Sequence, residues 1–329
     1  MAEPIARHVT VTDSGELLAP GVERLRASGV AVQVLPDGTP AARAAEAAAG
    51  SSVVIDGVLR FGASELARLR ATRLLIRAGI GLDLIDVPAA TAQGIWVANV
   101  PDYCVDEVAD HTLLLLLATT RRLDALAGLW RRERRWLVYE GLPEVHRPSE
   151  RTLGIVGMGR IGAAVAQRAA AFGWRIRGHD AVLPADVIRS RGAEPVGLDE
   201  LFATADAITL HCPLTPETRH LVNAERLATA RPGVIVVNTS RGGLVDIDAL
   251  DAALESGRVG AAGLYVLEDE PDPDLERPIL ERPNVVITSH VAWYSMEARR
   301  ELALKCADEA LRVLDGERPR NAANPEARV

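Results

Sequence analysis

Lysine is almost missing from this chain: of 37 basic residues, only Lys305 is not arginine. That bias reflects a GC-rich genome more than any physical demand. Cysteine is scarce as well, and Cys104, Cys212 and Cys306 are odd in number and lack metal-ligand spacing. They form no disulfide framework and no zinc site, so no metal is expected, and they fit a reducing cytoplasm. Long hydrophobic runs are missing; the longest, residues 113–118, is far too short to span a bilayer. The opening residues hold no apolar signal core, so neither a secretory leader nor a membrane partner is expected. Surplus positive charge is missing too: the net charge is −8, which argues against a nucleic-acid partner. One basic cluster, Arg121, Arg122, Arg131, Arg132, Arg134 and Arg135, reads as a solvated or interface helix face.

What is present is an ordinary globular mix, 48% apolar and 25% charged, over 329 residues, long enough for two domains each with its own core. Short apolar runs at 9–11, 30–35, 53–55, 74–76 and 95–98 alternate with Ala/Arg/Glu-rich helical segments. That alternation predicts parallel βα units. A long helical pattern fills 105–135, and 141–148 reads as a loop. A second series follows, with strands at 153–156, 175–178, 207–211, 234–238, 261–266 and 285–288. The Asp-, Glu- and Pro-rich stretch 268–283 reads as a loop, 295–314 as a last helix, and the rest as a polar tail. The expectation is an α/β chain of two doubly wound parallel sheets. Residues 103–293 form one domain, inserted between 1–102 and 294–329 of the other, with hinges near Pro101 and Trp293.

The string Gly157-Met-Gly159-Arg-Ile-Gly162 follows a predicted strand directly and opens a predicted helix. Gly157 permits the tight turn, Gly159 lets backbone approach a pyrophosphate, and Gly162 allows close helix–strand packing. The helix N-terminus then offers free N–H groups to the phosphates. Asp180 lies 18 residues after Gly162, at the end of the next strand. A carboxylate there accepts hydrogen bonds from adenosine ribose hydroxyls and repels a 2′-phosphate, so NAD is favoured over NADP.

Three polar residues sit at or just past the ends of later apolar runs: Arg241, Glu270 and His290. In an open parallel sheet such positions line the ligand crevice. An arginine grips a carboxylate with a planar fork and polarises the adjacent carbonyl. An imidazole beside a carboxylate is held charged and can donate a proton. Together with a dinucleotide site, the set predicts hydride transfer between a 2-hydroxy acid and its 2-oxo acid. Earlier, Arg77-Ala78-Gly79-Ile80-Gly81 also follows a strand, and successive N–H groups in such a loop can hold a substrate carboxylate.

On these blocks, with Glu107-Val-Ala-Asp-His-Thr112, His211-Cys-Pro-Leu214, Asn238-Thr-Ser-Arg-Gly-Gly-Leu-Val-Asp246, Glu270-Pro271 and Ser289-His290, the chain resembles the D-isomer-specific 2-hydroxyacid dehydrogenase family. Asp106-Glu-Val-Ala-Asp110 and Val291-Ala-Trp-Tyr-Ser295 resemble its C-terminal-binding-protein branch most. The resemblance implies a Rossmann NAD-binding domain inserted into a flavodoxin-like substrate domain. It implies that Arg241 binds substrate, His290 is the acid/base and Glu270 tunes it. It places Arg160, Ile161, His211, Cys212, Pro213, Thr218, Thr239, Ser240 and Tyr265 in the cofactor site. The 79–81 loop, with Arg77, is implied to hold the substrate carboxylate, and Trp293 to line the side-chain pocket. A homodimer through the cofactor domains is also implied, with 118–140 contributing. An NAD(H)-regulated corepressor-like binding protein, or a specialised enzyme, is the alternative. The chain departs from the family at Tyr265, where an Asp normally receives the nicotinamide carboxamide, and at Leu84, commonly Asn. Tyr265 either reaches the carboxamide from a greater distance or moves the nicotinamide.

Overall fold

The computed structural model describes residues 5–134, 136, 140, 142–268, 270 and 273–327. Two compact units divide the chain: residues 1–103 with 294–329, and 104–293.

The first unit carries β1 (His8–Val11), β2 (Ala31–Val34), β3 (Val53–Asp56), β4 (Leu74–Arg77) and β5 (Trp96–Asn99), all parallel, in the order β2-β1-β3-β4-β5. That is the flavodoxin-like order. The central β3 is buried along its whole length; Val53, Val54 and Ile55 are the apolar run of a strand covered on both faces, and buried Asp56 ends it. On one face Val54, Leu75 and Val97 pack with Phe61, Leu66 and Leu69. Helix Met296–Leu314 returns against helix Ala19–Ala27, where Arg24 and Asp308 pair at 2.5 Å. Ser295 caps the returning helix, accepting from the Ala298 N–H at 2.8 Å. The segment after that helix is not a free polar tail. Buried Asn324 accepts from the Val97 N–H (2.8 Å) and donates to the Ile95 carbonyl (2.9 Å), closing the β5 edge.

The second unit carries β6 (Thr152–Val156), β7 (Arg175–His179), β8 (Glu194–Pro195), β9 (Ala207–Leu210), β10 (Val234–Asn238), β11 (Val259–Leu264) and β12 (Val285–Ile287). They form one parallel sheet in the order β12-β11-β10-β9-β6-β7-β8. This is the dinucleotide-binding order, extended by one strand. The order reverses between β6 and β9, so a crevice is expected at their carboxyl ends. The two-residue β8 has no counterpart among the expected strands; an edge strand ending in proline leaves no apolar alternation to detect.

The predicted helix over 105–135 is two helices, Val105–Thr120 and Leu123–Glu133. The break is at Arg122, which adopts a left-handed φ of 51° and turns its guanidinium back to the Gly260 carbonyl at 2.6 Å. Arg122 is therefore part-buried and tied to the sheet, not one of a solvated row. Arg121, Arg131 and Arg134 are exposed; Arg135 and the side chain of Arg132 lie outside the described residues.

Candidate active site

The candidates of the second unit fall in the segments that follow the carboxyl ends of its strands. After β6, Gly157 turns the chain at φ 93°, and a Cβ there would fall 2.5 Å from the Cys212 nitrogen. A Cβ on Gly162 would meet the Gly157 carbonyl oxygen at 2.0 Å, whereas one on Gly159 would meet nothing within 4 Å. The loop is thus closed against β9 and its own helix, and open at Gly159, where a ligand's phosphates need to approach. Gly159 caps helix Arg160–Ala171 without a side-chain hydrogen bond, so the first-turn N–H groups around Arg160 and Ile161 remain for an anion.

Asp180, after β7, anchors this loop as well as facing it. Its Oδ2 accepts from the Met158 N–H at 2.8 Å, and Oδ1 accepts from Val182 and Leu183 at 2.9 and 3.0 Å. Burial works to raise the Asp180 carboxyl, but these three N–H groups and His179 outweigh it and hold it below the ordinary range. A carboxylate has about four lone-pair sites, so ribose hydroxyls still find acceptors. At the end of β9, both His211 ring nitrogens are buried without a partner, and burial pushes the imidazole down to about 3, leaving it neutral. The glycine cradle, the open helix end, the ionised Asp180 and the orphaned His211 all fit a dinucleotide. The rest of the predicted cofactor set gathers nearby: Ser240 Oγ donates to the Cys212 carbonyl at 2.7 Å, and the Thr239 and Thr112 hydroxyls lie 2.7 Å apart. Thr218 is spent on its own turn, donating to the Pro213 carbonyl and accepting from the Thr215 N–H, each at 2.7 Å.

Asp180→Ala is expected to relax discrimination against NADPH by about tenfold or more, since one unit charge against a 2′-phosphate is worth about 1–4 kcal/mol near a protein surface. The same substitution releases the Met158 N–H, so NADH affinity should fall as well. The ratio of kcat/KM for the two cofactors, with their dissociation constants, checks both; an unchanged ratio would remove Asp180 from cofactor selection.

After β10, buried Asn238 shapes the next loop, accepting from the Ser240 N–H at 3.0 Å and donating to the Arg241 carbonyl at 2.8 Å. A Cβ on Gly242 would fall 2.0 Å from the Leu267 carbonyl, so only glycine lets this loop lie against the segment that carries Glu270. The Leu267 N–H in turn donates to Glu270 Oε1 at 3.1 Å. Glu270 Oε2 lies 2.5 Å from Nδ1 of His290, which follows β12. Burial tends to raise the Glu270 carboxyl, but the hydrogen bond and charge of His290, the Leu267 N–H and the Arg241 charge together hold it down. His290 is 41% exposed, so its free ring edge reaches solvent. Pro271, which accompanies Glu270 in the motif, lies outside the described residues.

Tyr265 follows β11, is only 4% exposed, and sets its ring 4.6 Å from the His290 ring, tilted 68°. Burial raises its phenol above the usual value, opposed by the Arg241 charge. Arg241, Glu270, His290 and Tyr265 are therefore one cluster. Sequence reading overlooked His111, which lies 5.7 Å from Tyr265 and bonds through Nε2 to Thr288 Oγ1 at 2.8 Å. It stands in the quoted 107–112 block, but nothing in its spacing points to residues 265 and 288.

In the first unit, Arg77 ends β4 and donates to Asp56 Oδ2 at 3.1 Å. Asp56 is fully buried; burial pushes its carboxyl up to about 7 against the pull of Arg77. The Ala78 and Gly79 N–H groups are spent on the Asp56 and Arg77 carbonyls at 2.7 and 2.9 Å, so backbone donation to an anion falls to Ile80 and Gly81. Trp293, at the end of the second unit, is half-buried.

Residues 113–292, more than half of the chain, match the family described as D-isomer specific 2-hydroxyacid dehydrogenase, NAD binding domain. The chain is 42% identical over 254 residues to D-3-phosphoglycerate dehydrogenase of Methanocaldococcus jannaschii, covering 77% of this chain and 47% of that one. It therefore spans about half the length of that relative. It is 41% identical over 256 residues to glyoxylate reductase of Korarchaeum cryptofilum, covering 77% and 76%. The crystal structure of D-lactate dehydrogenase from Aquifex aeolicus, complexed with NAD and lactic acid, superposes with a TM-score of 0.84 at 26% identity, covering 94% of this chain and 96% of that one.

Proposed function

This chain belongs to the D-isomer-specific 2-hydroxyacid dehydrogenase family, and we propose that it is an NAD-dependent oxidoreductase interconverting a D-2-hydroxy acid and its 2-oxo acid. The observation that carries the reading is the His290–Glu270 pair beside Arg241, in a unit whose glycine loop and Asp180 fit a dinucleotide. Held by the glycine loop and Asp180, NADH would supply the hydride that reduces the 2-oxo acid. His290 donates its proton to the carbonyl oxygen, and in the reverse direction takes the hydroxyl proton. Glu270 holds Nδ1 at 2.5 Å and leaves Nε2 for substrate. Arg241 grips the substrate carboxylate and polarises the carbonyl. Asp180 takes the ribose hydroxyls. Arg77 with Ile80 and Gly81 is assigned to the substrate carboxylate, and Trp293 to the substrate side chain.

The substrate class is a small 2-oxo acid. Purified protein should oxidise NADH in the presence of glyoxylate, pyruvate or phosphohydroxypyruvate, followed by NADH absorbance, and the product should be the D-isomer wherever a stereocentre forms. No turnover across a panel of 2-oxo acids would overturn the reading. The corepressor-like alternative has no support from the named relatives, which are dehydrogenases and a reductase. Among the described residues no helix is long and apolar enough to cross a membrane. We assign the cytoplasm as the compartment, in keeping with Cys104, Cys212 and Cys306 being reduced thiols. We also assign a homodimer through the cofactor units, supported by exposed Leu123, Trp130 and Trp136 on and beside helix Leu123–Glu133. Residues 135, 137–139 and 141 of that region lie outside the described residues.

A further inference from the structure

A hydrogen bond to one ring nitrogen leaves an imidazole a free motion. Glu270 fixes where Nδ1 of His290 points, at 2.5 Å, but the ring can still swing about that bond. The side chain is 41% exposed, so it is only partly enclosed. The ring of Tyr265 meets it, centroid to centroid at 4.6 Å and 68° between planes, the edge-to-face arrangement that aromatic pairs prefer. Tyr265 is buried and has its own backing. The His111 ring lies on it at 5.7 Å and 57°, and His111 Nε2 bonds to Thr288 Oγ1 at 2.8 Å. Thr288 lies two residues before His290, so the contacts form a closed circuit through the end of β12, the end of β11 and helix Val105–Thr120. The two imidazoles of this circuit are not equivalent. His111 is half-buried, burial lowers its affinity for a proton, and its ring bond is to a hydroxyl. His290 has the carboxylate.

We propose that Tyr265 is a positioning residue: its ring fixes the tilt of the His290 imidazole, and His111, tied to Thr288, holds that ring in place. The proposal rests on His290 being the acid/base. The ring, not the phenol hydroxyl, does the positioning. Alignment errors of about 1 Å cost on the order of 100-fold in rate, so loss of the ring is expected to show in turnover rather than in binding.

The test uses Tyr265→Phe, which keeps the ring, and Tyr265→Leu, which removes it. Tyr265→Leu should lower kcat for glyoxylate or pyruvate by about 10- to 100-fold, a larger factor than any rise in KM for NADH. Tyr265→Phe should restore kcat to within about threefold of the parent. The pH profile should drop in height without moving along the pH axis, because Arg241, Glu270, Cys104 and His111, the other charged or titratable groups facing Tyr265 among the described residues, are untouched. A Phe variant as slow as the Leu variant would overturn the ring's role, as would a Leu variant of full activity. Selectively labelled protein gives a readout independent of turnover: a nuclear Overhauser effect between Tyr265 and His290 ring protons, kept in Tyr265→Phe and weakened by His111→Leu. Its absence from the parent protein overturns the proposal even if Tyr265→Leu fails to fold. A parent protein that shows the effect but reduces no 2-oxo acid overturns the dehydrogenase reading and not the contact.

Discussion

His290→Ala is expected to lower the turnover of 2-oxo acid reduction by about 100- to 10,000-fold, the usual worth of a positioned general acid. NADH binding should change little, because the glycine loop and Asp180 follow β6 and β7 whereas His290 lies beyond β12. The loss should therefore fall on kcat and leave the NADH dissociation constant within about threefold, the sign of an interaction made in the transition state. Turnover within a few-fold of the parent would remove His290 from the chemistry. The companion changes test the pair from the Glu270 side. Burial raises the Glu270 carboxyl, but its bond to His290 leads the interactions that hold it below the ordinary value. In His290→Ala the Glu270 carboxyl should therefore titrate at higher pH than in the parent, read by carbon-13 titration. Glu270→Gln, which takes the charge away from Nδ1, should lower kcat with the NADH dissociation constant within about threefold. A carboxyl that stays in place in His290→Ala would break the partnership.

The sheet ends that carry this chemistry are legible because several parallel strands are apolar runs that stop at polar residues. Val234 to Val237 and Val285 to Ile287 are such runs, and Arg241 and His290 lie a few residues past them. The glycine string was readable for a different reason: its spacing encodes a turn that side chains would block, and Gly157 and Gly162 meet backbone as that requires. Where local pattern stops carrying information, the reading stopped with it. The bend at Arg122 depends on a carbonyl, that of Gly260, from a distant strand; locally the segment remains a good helix former, so 105–135 read as one helix. His111 meets Tyr265 and Thr288 only because a helix lies over the ends of β11 and β12, and no spacing along the chain expresses that. Asn324 looked like part of a polar tail because its partners, Ile95 and Val97, are more than two hundred residues away. Tyr265 was visible as a departure from the family pattern, but its contact with His290 was not.

Arg241→Lys separates charge from shape at the centre of the cluster. The guanidinium presents a planar fork able to bind a carboxylate through two parallel bonds; an ammonium keeps the charge and loses the fork. Removal of a donor aimed at developing oxyanion charge costs about 100- to 1,000-fold in kcat. Arg241→Ala should lose at least that much, with KM for the 2-oxo acid raised as the carboxylate grip goes. Arg241→Lys should recover part of kcat and little of the affinity, since polarisation needs only charge whereas the grip needs geometry. The Arg241 charge also pulls the Glu270 carboxyl down and opposes the rise of the Tyr265 phenol. In Arg241→Ala the Glu270 carboxyl should therefore titrate at higher pH than in the parent, and Arg241→Lys should hold it near the parent value. Steady-state kinetics with NADH saturating, together with carbon-13 titration of the Glu270 carboxyl, reads both effects on the same proteins. If Arg241→Ala keeps kcat and KM within about threefold, Arg241 has no part in holding the substrate, and the carboxylate must be gripped elsewhere. If the Glu270 titration alone fails to move, the two groups are more strongly screened from each other than their placement implies.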